Sequence, residues 1–356
     1  MTIPALQSFG FSADHQAVYD MAYRYAREQL YDLAPRMDKE DWFPEEAFRA
    51  LAGQGLLGIT VPNEYGGAGL DVLSQCFVCE AVAYWNHTVA ASMLASDNLC
   101  LHNLVRNANA EQKAQYLPRF CDGRVIGALG MTEPGAGSDA LGSMATRAVR
   151  DGDDWIVNGA KTFISNGLNA DLVVTAVRTG DDPHKGLSMM VIERGFDGFE
   201  RGKQIDKRGQ HANDTAELFF NDCRVPGDNL LGAEGTGFAQ LMTNLIPERL
   251  GVAVSSAAAA EAVLDLTLEY VRERKAFGKP IGSFQNSRFQ LADAKTKAEV
   301  TRAFMDRTLQ RYVDDMRLFV DGLRPGPEDD ADRALWTDSI GALGGPEFRF
   351  LEGILL

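Results

Sequence analysis

VIGALGMTEPGAGSDALGSMATRAVRDGDDWIVNGAKTFISNG, residues Val125–Gly167, decides how the rest of the chain is read. It opens on an apolar run, passes through Thr132-Glu133-Pro134 and reaches Gly135-Ala136-Gly137-Ser138-Asp139. A turn holding two glycines and a serine can aim several backbone N–H groups at one anion. A hairpin is expected directly after it, with Asn158-Gly159 as the turn and Phe163-Ile164-Ser165 on the return strand. Together these features predict a unit that grips a pyrophosphate-bearing ligand and holds a flat ring beside it.

Upstream of this stretch the pattern is helical. Val18, Met21, Ala22, Tyr25, Ala26 and Leu30 recur at helical spacing, and Pro35 is expected to end that helix. A second helix is expected from Pro44 through Phe48, Leu51 and Leu57. The Gly/Pro loop Val61–Asp71 follows, then two long apolar helices over Leu73–Val105 and a short amphipathic one over Ala110–Phe120. From Val125 to about Leu230 the texture changes. Trp155–Val157, Leu172–Val177, Leu187–Ile192 and Thr215–Phe220 are short β-rich runs set off by turn residues, as in a small barrel or sandwich. Helix resumes after Gly235, over Phe238–Arg274 and about Phe284–Met316. The predicted fold class is therefore α+β: an N-terminal helical domain (1–122), a middle small β-barrel domain (123–232) and a C-terminal helical bundle domain (233–356).

Composition narrows the function classes. With 45% hydrophobic residues in 356 a sizeable core is possible, and no run of ~18 apolar residues is seen, so no membrane span is expected. A formal charge of −15 argues against a nucleic acid or an anionic bilayer as the main partner. Five scattered cysteines fit reduced thiols. Cys76 and Cys79 form a C-x-x-C pair, but with no second pair and no nearby histidine the expectation is a buried helix face. The first residues lack a basic segment followed by an apolar core, so no secretion signal is expected.

Several motifs in one order give the chain a family resemblance: Glu64-Tyr65-Gly66-Gly67, Met131–Asp139 (MTEPGAGSD), Asn158–Gly167 (NGAKTFISNG), Asp214–Pro226 (DTAELFFNDCRVP) and Arg274–Gln285 (RKAFGKPIGSFQ). From about Ser12 to Trp336 the sequence resembles the acyl-CoA dehydrogenases. The resemblance implies bound FAD, a homotetramer or homodimer, oxidation of an acyl-CoA to the 2,3-enoyl thioester in fatty-acid β-oxidation, and electrons passed to an electron-transferring flavoprotein. It places the protein in a bacterial cytoplasm or, for a eukaryotic source, the mitochondrial matrix.

The reaction removes an α-proton and a β-hydride, so it needs a carboxylate base shielded from water. In most of the family that Glu lies close to the C-terminus. The isovaleryl- and long-chain-type subset carries it on a helix directly before an Arg, and here Glu248 precedes Arg249, after a Pro247 expected to release a backbone hydrogen bond and bend the helix. The resemblance thus assigns Glu248 as base and Arg249, with Ser138, to the substrate. It gives Met131 and Thr132 to the flavin edge, Gly137 and Ser138 to the pyrophosphate, and Phe163 and Ser165 to the ring, where many relatives have Trp and Thr. Arg274, Phe277 and Gln285 would reach the pyrophosphate and adenine half of FAD from a neighbouring subunit. Lys207, Arg208 and Arg201 are weaker candidates for the CoA phosphates. Val252 and Ser256, past Glu248 on its helix, could face the acyl chain, while the small residues of 253–260 equally fit tight helix contacts. Read without the family, Glu248-Arg249 is an ordinary exposed pair and Phe163 a core aromatic. Beyond Trp336 the family's Gln-x-x-Gly-Gly-x-Gly pattern is altered: Gly341 stands where Gln is usual before Gly344-Gly345, which predicts an atypical or truncated end. Within the fold, an oxygen-using flavoenzyme (nitroalkane-oxidase-like or flavin-hydroxylase-like) and a flavin-poor non-catalytic relative remain alternatives. Glu248 favours the dehydrogenase, since nitroalkane oxidases use an aspartate.

Overall fold

The computed structural model describes residues 11–139, 142–182 and 185–322; the altered motif around Gly344-Gly345 lies outside them. The described residues form two compact units, one over Ala17–Ala262 and a second that takes in 11–16, the first turn of the first helix, and 263–322.

The first unit begins with helices. α1 (Ala13–Tyr25) runs through a π-helical turn, Ala26–Leu30, and a 3-10 turn, Tyr31–Leu33, into α2 (Ala34–Glu40). Pro35 therefore does not stop the helix. It falls in the first turn of α2, where its missing N–H has no partner to lose, and Asp41 at φ 51° makes the stop. α3 (Glu45–Ala50) is shorter than its apolar pattern, because the chain turns at Gly55 (φ 67°) before Leu57. α4 (Val72–Trp85) is capped by Asp71, whose carboxylate accepts from Ser74 N at 2.8 Å, and it is buried all round. Cys76 and Cys79 are free thiols inside it, and burial pushes the Cys79 thiol up to about 12, so the pair is core. The expected two helices over 73–105 are four segments: α4, α5 (His87–Met93), a π-helical stretch Leu94–Leu101, and α6 (His102–Asn107). Asn86 makes the first break, accepting from Val89 N and donating to Leu30 O. α7 (Ala110–Cys121) starts with a capping box between Asn109 and Gln112.

Eight strands follow: β1 (Gly127–Gly130), β2 (Arg147–Asp151), β3 (Asp154–Ser165), β4 (Leu172–Arg178), β5 (Leu187–Glu193), β6 (Phe199–Gln204), β7 (Thr215–Val225) and β8 (Leu230–Leu231). They pair in the order β6-β7-β3-β2-β4-β5-β8, with β1 parallel beside β4. A single register pair, Arg147↔Arg178, joins the two halves. Trp155, Val157, Leu218 and Phe220 from one half share a core with Val173, Val177, Met190 and Ile192 from the other. β4 is buried along its whole length because its second face, Leu172, Val174 and Ala176, packs with Leu101, Leu104, Leu117 and Phe120 of the helices.

One expectation is overturned here. Asn158-Gly159 is not a hairpin turn: β3 runs straight through it, and the turn to β2 is Gly152-Asp153 (Gly152 φ 64°). Asn158 instead spans to β7, exchanging hydrogen bonds with Asp222 across a bulge. Gly159 (φ 150°) is required because a Cβ there would lie 2.6 Å from Thr146 Cα. The Asn-Gly pair serves a close approach of strands, a use that the dipeptide alone does not distinguish from a turn.

α8 (Gly237–Glu273) starts in the first unit and ends in the second. By length and a mean hydropathy of 1.4 over its best window it is the one described helix apolar enough to cross a bilayer. Its alanine run raises that figure, while it buries Glu248 and Asn244 among protein groups, as a core helix does. In the second unit, β9 (Lys275–Ala276) and β10 (Lys279–Pro280) make a short hairpin, and α9 (Gln285–Gly322) follows.

Candidate active site

Two clusters of the sequence-nominated residues are built in the first unit. In the first, Thr162 N donates to Thr132 O at 2.9 Å, laying Met131-Thr132 beside β3. Beneath it Lys161 Nζ donates to Glu133 Oε1 at 2.7 Å and to Met131 O at 3.2 Å. The Lys161 side chain is 0% exposed; burial lowers its ammonium to about 8, opposed by Glu133. Glu133 also accepts from Ala145 N (2.6 Å) and Thr146 N (3.0 Å), so its carboxylate is satisfied on three sides. A second bulge, between Lys161 and Ile164, then turns one side chain outward: Thr162 and Ile164 are buried, while Phe163 has φ 58° and is 64% exposed. A left-handed Phe costs about 1–2 kcal/mol, and its side chain is left mostly uncovered among the described residues. Phe163 is thus no core aromatic. Ser165 closes β3, and the next residue, Asn166, anchors it by donating to Ser92 O and Gly127 O.

The glycine turn opens from the same strand. Glu133 and Ala136 exchange backbone hydrogen bonds, which leaves Gly137 and Ser138 exposed with N–H groups unpartnered among the described residues. A Cβ at Gly135 or Gly137 would meet nothing within 4 Å. Among the described residues these glycines answer no packing demand, which fits a turn kept open for a ligand. An exposed aromatic, a partly exposed hydroxyl at Ser165 and free N–H donors on one strand system fit a flat ring with a pyrophosphate tail, and so fit FAD.

The second cluster surrounds Glu248. The residue is 8% exposed, and its carboxyl is raised to about 8, burial being the main cause. Opposing that rise are a hydrogen bond from Asn244 Nδ2 to Oε1 (2.6 Å) and the charges of Arg106 and Arg249. The solvent-facing reading of Glu248 is therefore excluded. Arg249 is half-buried beside it. Pro247 lies within a continuous α8, and the carbonyl that its missing N–H leaves free, Thr243 O, accepts from Arg106 Nη1 at 3.1 Å. Val252 and Ser256 are exposed. Gly251 is small for packing: an added Cβ would lie 2.5 Å from Leu94 Cδ2 and 2.6 Å from Asn98 Nδ2.

One element ties the clusters together. The helical stretch 92–98 accepts from Asn166 at Ser92 O, accepts from Gly127 N at Ser96 Oγ, and meets α8 through Asn98, which donates to Pro247 O and accepts from Asn244. Of the weaker candidates, Lys207 is already spent on Asn213 O and Thr215 Oγ1, and Arg201 on Leu168 O. The remaining nominated residues belong to the second unit. Phe277 tips the β9–β10 hairpin at φ 50°, 95% exposed; Arg274 and Gln285 are exposed, with Ile281 N bonded to Arg274 O. Sequence reading missed Asn244, Arg106, Glu133, Lys161 and Asn166. Glu133, Lys161 and Asn166 lie inside the motifs Met131–Asp139 and Asn158–Gly167, and Asn244 lies one helical turn before Glu248; Arg106 left no sequence signal.

Residues 12–124, 128–223 and 235–318 match, in that order, the acyl-CoA dehydrogenase N-terminal, middle and C-terminal domain families. The mitochondrial long-chain specific acyl-CoA dehydrogenase of Rattus norvegicus is 40% identical over 305 residues, 85% of this chain and 70% of the relative. The mitochondrial isovaleryl-CoA dehydrogenase of Pongo abelii is 37% identical over 301 residues, 83% of this chain and 71% of the relative. Among solved structures, an acyl-CoA dehydrogenase from Geobacillus kaustophilus superposes with a TM-score of 0.81 at 37% identity, covering 86% of this chain and 80% of that one. An FAD complex of PigA superposes with 0.80 at 29% identity, with the same coverages.

Proposed function

Because the chain belongs to the acyl-CoA dehydrogenase family, an oxidoreductase family acting on CH–CH bonds with FAD, we propose that Glu248 is its catalytic base and that its substrate is an acyl-CoA thioester. The observation that carries this reading is a carboxyl buried on α8 with its pKa lifted by desolvation, linked through 92–98 to the Met131–Ser165 strand system. Burial makes the ionised form more basic, as abstraction of a weakly acidic α-proton requires. Glu248 takes that proton, the β C–H bond breaks, and the C2–C3 double bond forms. When bound, FAD supplies the two-electron acceptor for the hydride leaving the β-carbon.

The chain's own residues hold and shield. Met131, Thr132, Phe163 and Ser165 seat the ring, and Gly137 and Ser138 offer N–H groups to the pyrophosphate. Arg249 and Ser138 contact the substrate. Arg274, Phe277 and Gln285 serve a neighbouring subunit's FAD, electrons leave to an electron-transferring flavoprotein, and the working domain division is 1–122, 123–232 and 233–356. The test is Glu248→Gln. The variant is expected to retain FAD and lose anaerobic bleaching by an acyl-CoA; bleaching at the parent rate would sink the assignment. A panel of straight and branched acyl-CoAs, read by flavin absorbance, then defines the acyl group.

A further inference from the structure

We propose that Asn244 and Arg106 are positioning residues for Glu248, forming a clamp that fixes which carboxylate oxygen faces the substrate; this rests on the reading of Glu248 as base. The amide of Asn244 is satisfied at every polar position that matters. Its Oδ1 accepts from Arg106 Nη1 at 3.2 Å, and its Nδ2 donates to Asn98 O at 2.8 Å and to Glu248 Oε1 at 2.6 Å. Arg can only donate and a backbone carbonyl can only accept, so these two partners fix the orientation of the amide. The second amide hydrogen must then point at Glu248. Oε1 is held, and Oε2 is the oxygen left for the α-proton.

Arg106 is anchored independently of Asn244. The same Nη1 donates to Thr243 O at 3.1 Å, the carbonyl freed because Pro247 has no N–H. Pro247 thus makes the docking point for Arg106, Arg106 sets Asn244, and Asn244 sets Glu248. The proline one residue before the base thus frees the carbonyl that anchors Arg106.

The clamp also favours the ionised carboxylate, through one charge-assisted hydrogen bond and one nearby cation. The charges facing Glu248 are Arg106 from α6 and Arg249 on α8. Asp97, on the adjoining π-helical stretch, is buried against Gly58 N and raised to about 7, so it titrates in the same sense. Glu248→Gln isolates the Glu248 part.

The experiment measures two quantities against pH in FAD-loaded parent, Asn244→Ala, Arg106→Gln and Glu248→Gln: the anaerobic bleaching rate, and thermal stability. Loss of one hydrogen bond to an ionised group is expected to slow bleaching about tenfold in Asn244→Ala at neutral pH and to move its alkaline-rising limb up by about one unit. Arg106→Gln is expected to move the limb the same way by less. The Glu248 part of the stability loss with pH, taken as the difference from Glu248→Gln, is expected to move up in step. Parent-like rates and intervals in both clamp variants, with Glu248→Gln inactive, overturn the clamp and spare the base. Bleaching retained by Glu248→Gln overturns both. If Asn244→Ala does not hold FAD, Arg106→Gln, on an exposed side chain, decides: a moved limb supports the clamp and an unmoved one overturns it.

Discussion

At about pH 7 a carboxyl raised to about 8 is mostly protonated, and the base form grows as pH rises. Bleaching at subsaturating acyl-CoA is accordingly expected to increase with pH through a limb near 8, measured by stopped-flow absorbance. The same titration enters stability with a definite sign. Below about 4.5, the ordinary Glu value, folded and unfolded chains both hold the proton. Between there and about 8 only the folded chain does, so stability falls as pH rises, and above 8 the loss is complete. Glu248→Gln is expected to be more stable than the parent at pH 9 by about 2–4 kcal/mol, the gap closing toward pH 4.5. Thermal melts across that range check it, and a gap that widens toward acid would contradict the burial argument. Burial of this carboxyl therefore carries a cost in stability above about pH 4.5.

β3 shows how an element can position side chains against its own periodicity. Two bulges, at Val157/Gly159 and Lys161/Ile164, let it bury Lys161, Thr162 and Ile164 while presenting Phe163. The buried Lys161–Glu133 pair fixes this geometry by joining β3 to the Met131–Thr132 strip. Lys161→Met leaves a buried carboxylate with only its backbone donors. It is expected to destabilise the protein by about 3 kcal/mol and to weaken FAD retention. Adding Glu133→Gln should recover part of the loss, and a double-mutant cycle by chemical denaturation measures the coupling. Purely additive effects would mean that the pair holds nothing in place. Alternation of residue types could not show this element, since a lysine and a threonine inside and a phenylalanine outside invert the pattern expected of a half-buried strand.

At the scale of the whole molecule, the second unit exposes Tyr270, Phe277 and Phe289 and spends unfavourable backbone on Phe277. Such a tip suits insertion into another copy of the chain. Sedimentation is expected to give a multiple of 38.9 kDa. Arg274→Ala is expected to lower FAD occupancy without changing that mass; a monomer with full FAD would remove the neighbouring subunit from the site.

The order helical, β, helical and the segments that carry the candidate site were legible in the chain, because hydrophobic period and glycine-rich turns are local properties. Glu248 was legible as a position, from Pro247-Glu248-Arg249. Its buried state was not, since an exposed Glu-Arg pair has the same sequence. Asn158-Gly159 misled because strand crossing and hairpin turning both ask for a glycine with unusual φ. Arg106 and Asn244 stand 138 residues apart. Their pairing, and with it the orientation of the carboxylate, exists only once α6 and α8 pack. Sequence determined which groups are available; tertiary structure decided their protonation and aim, because desolvation and hydrogen-bond geometry depend on neighbours distant in the chain.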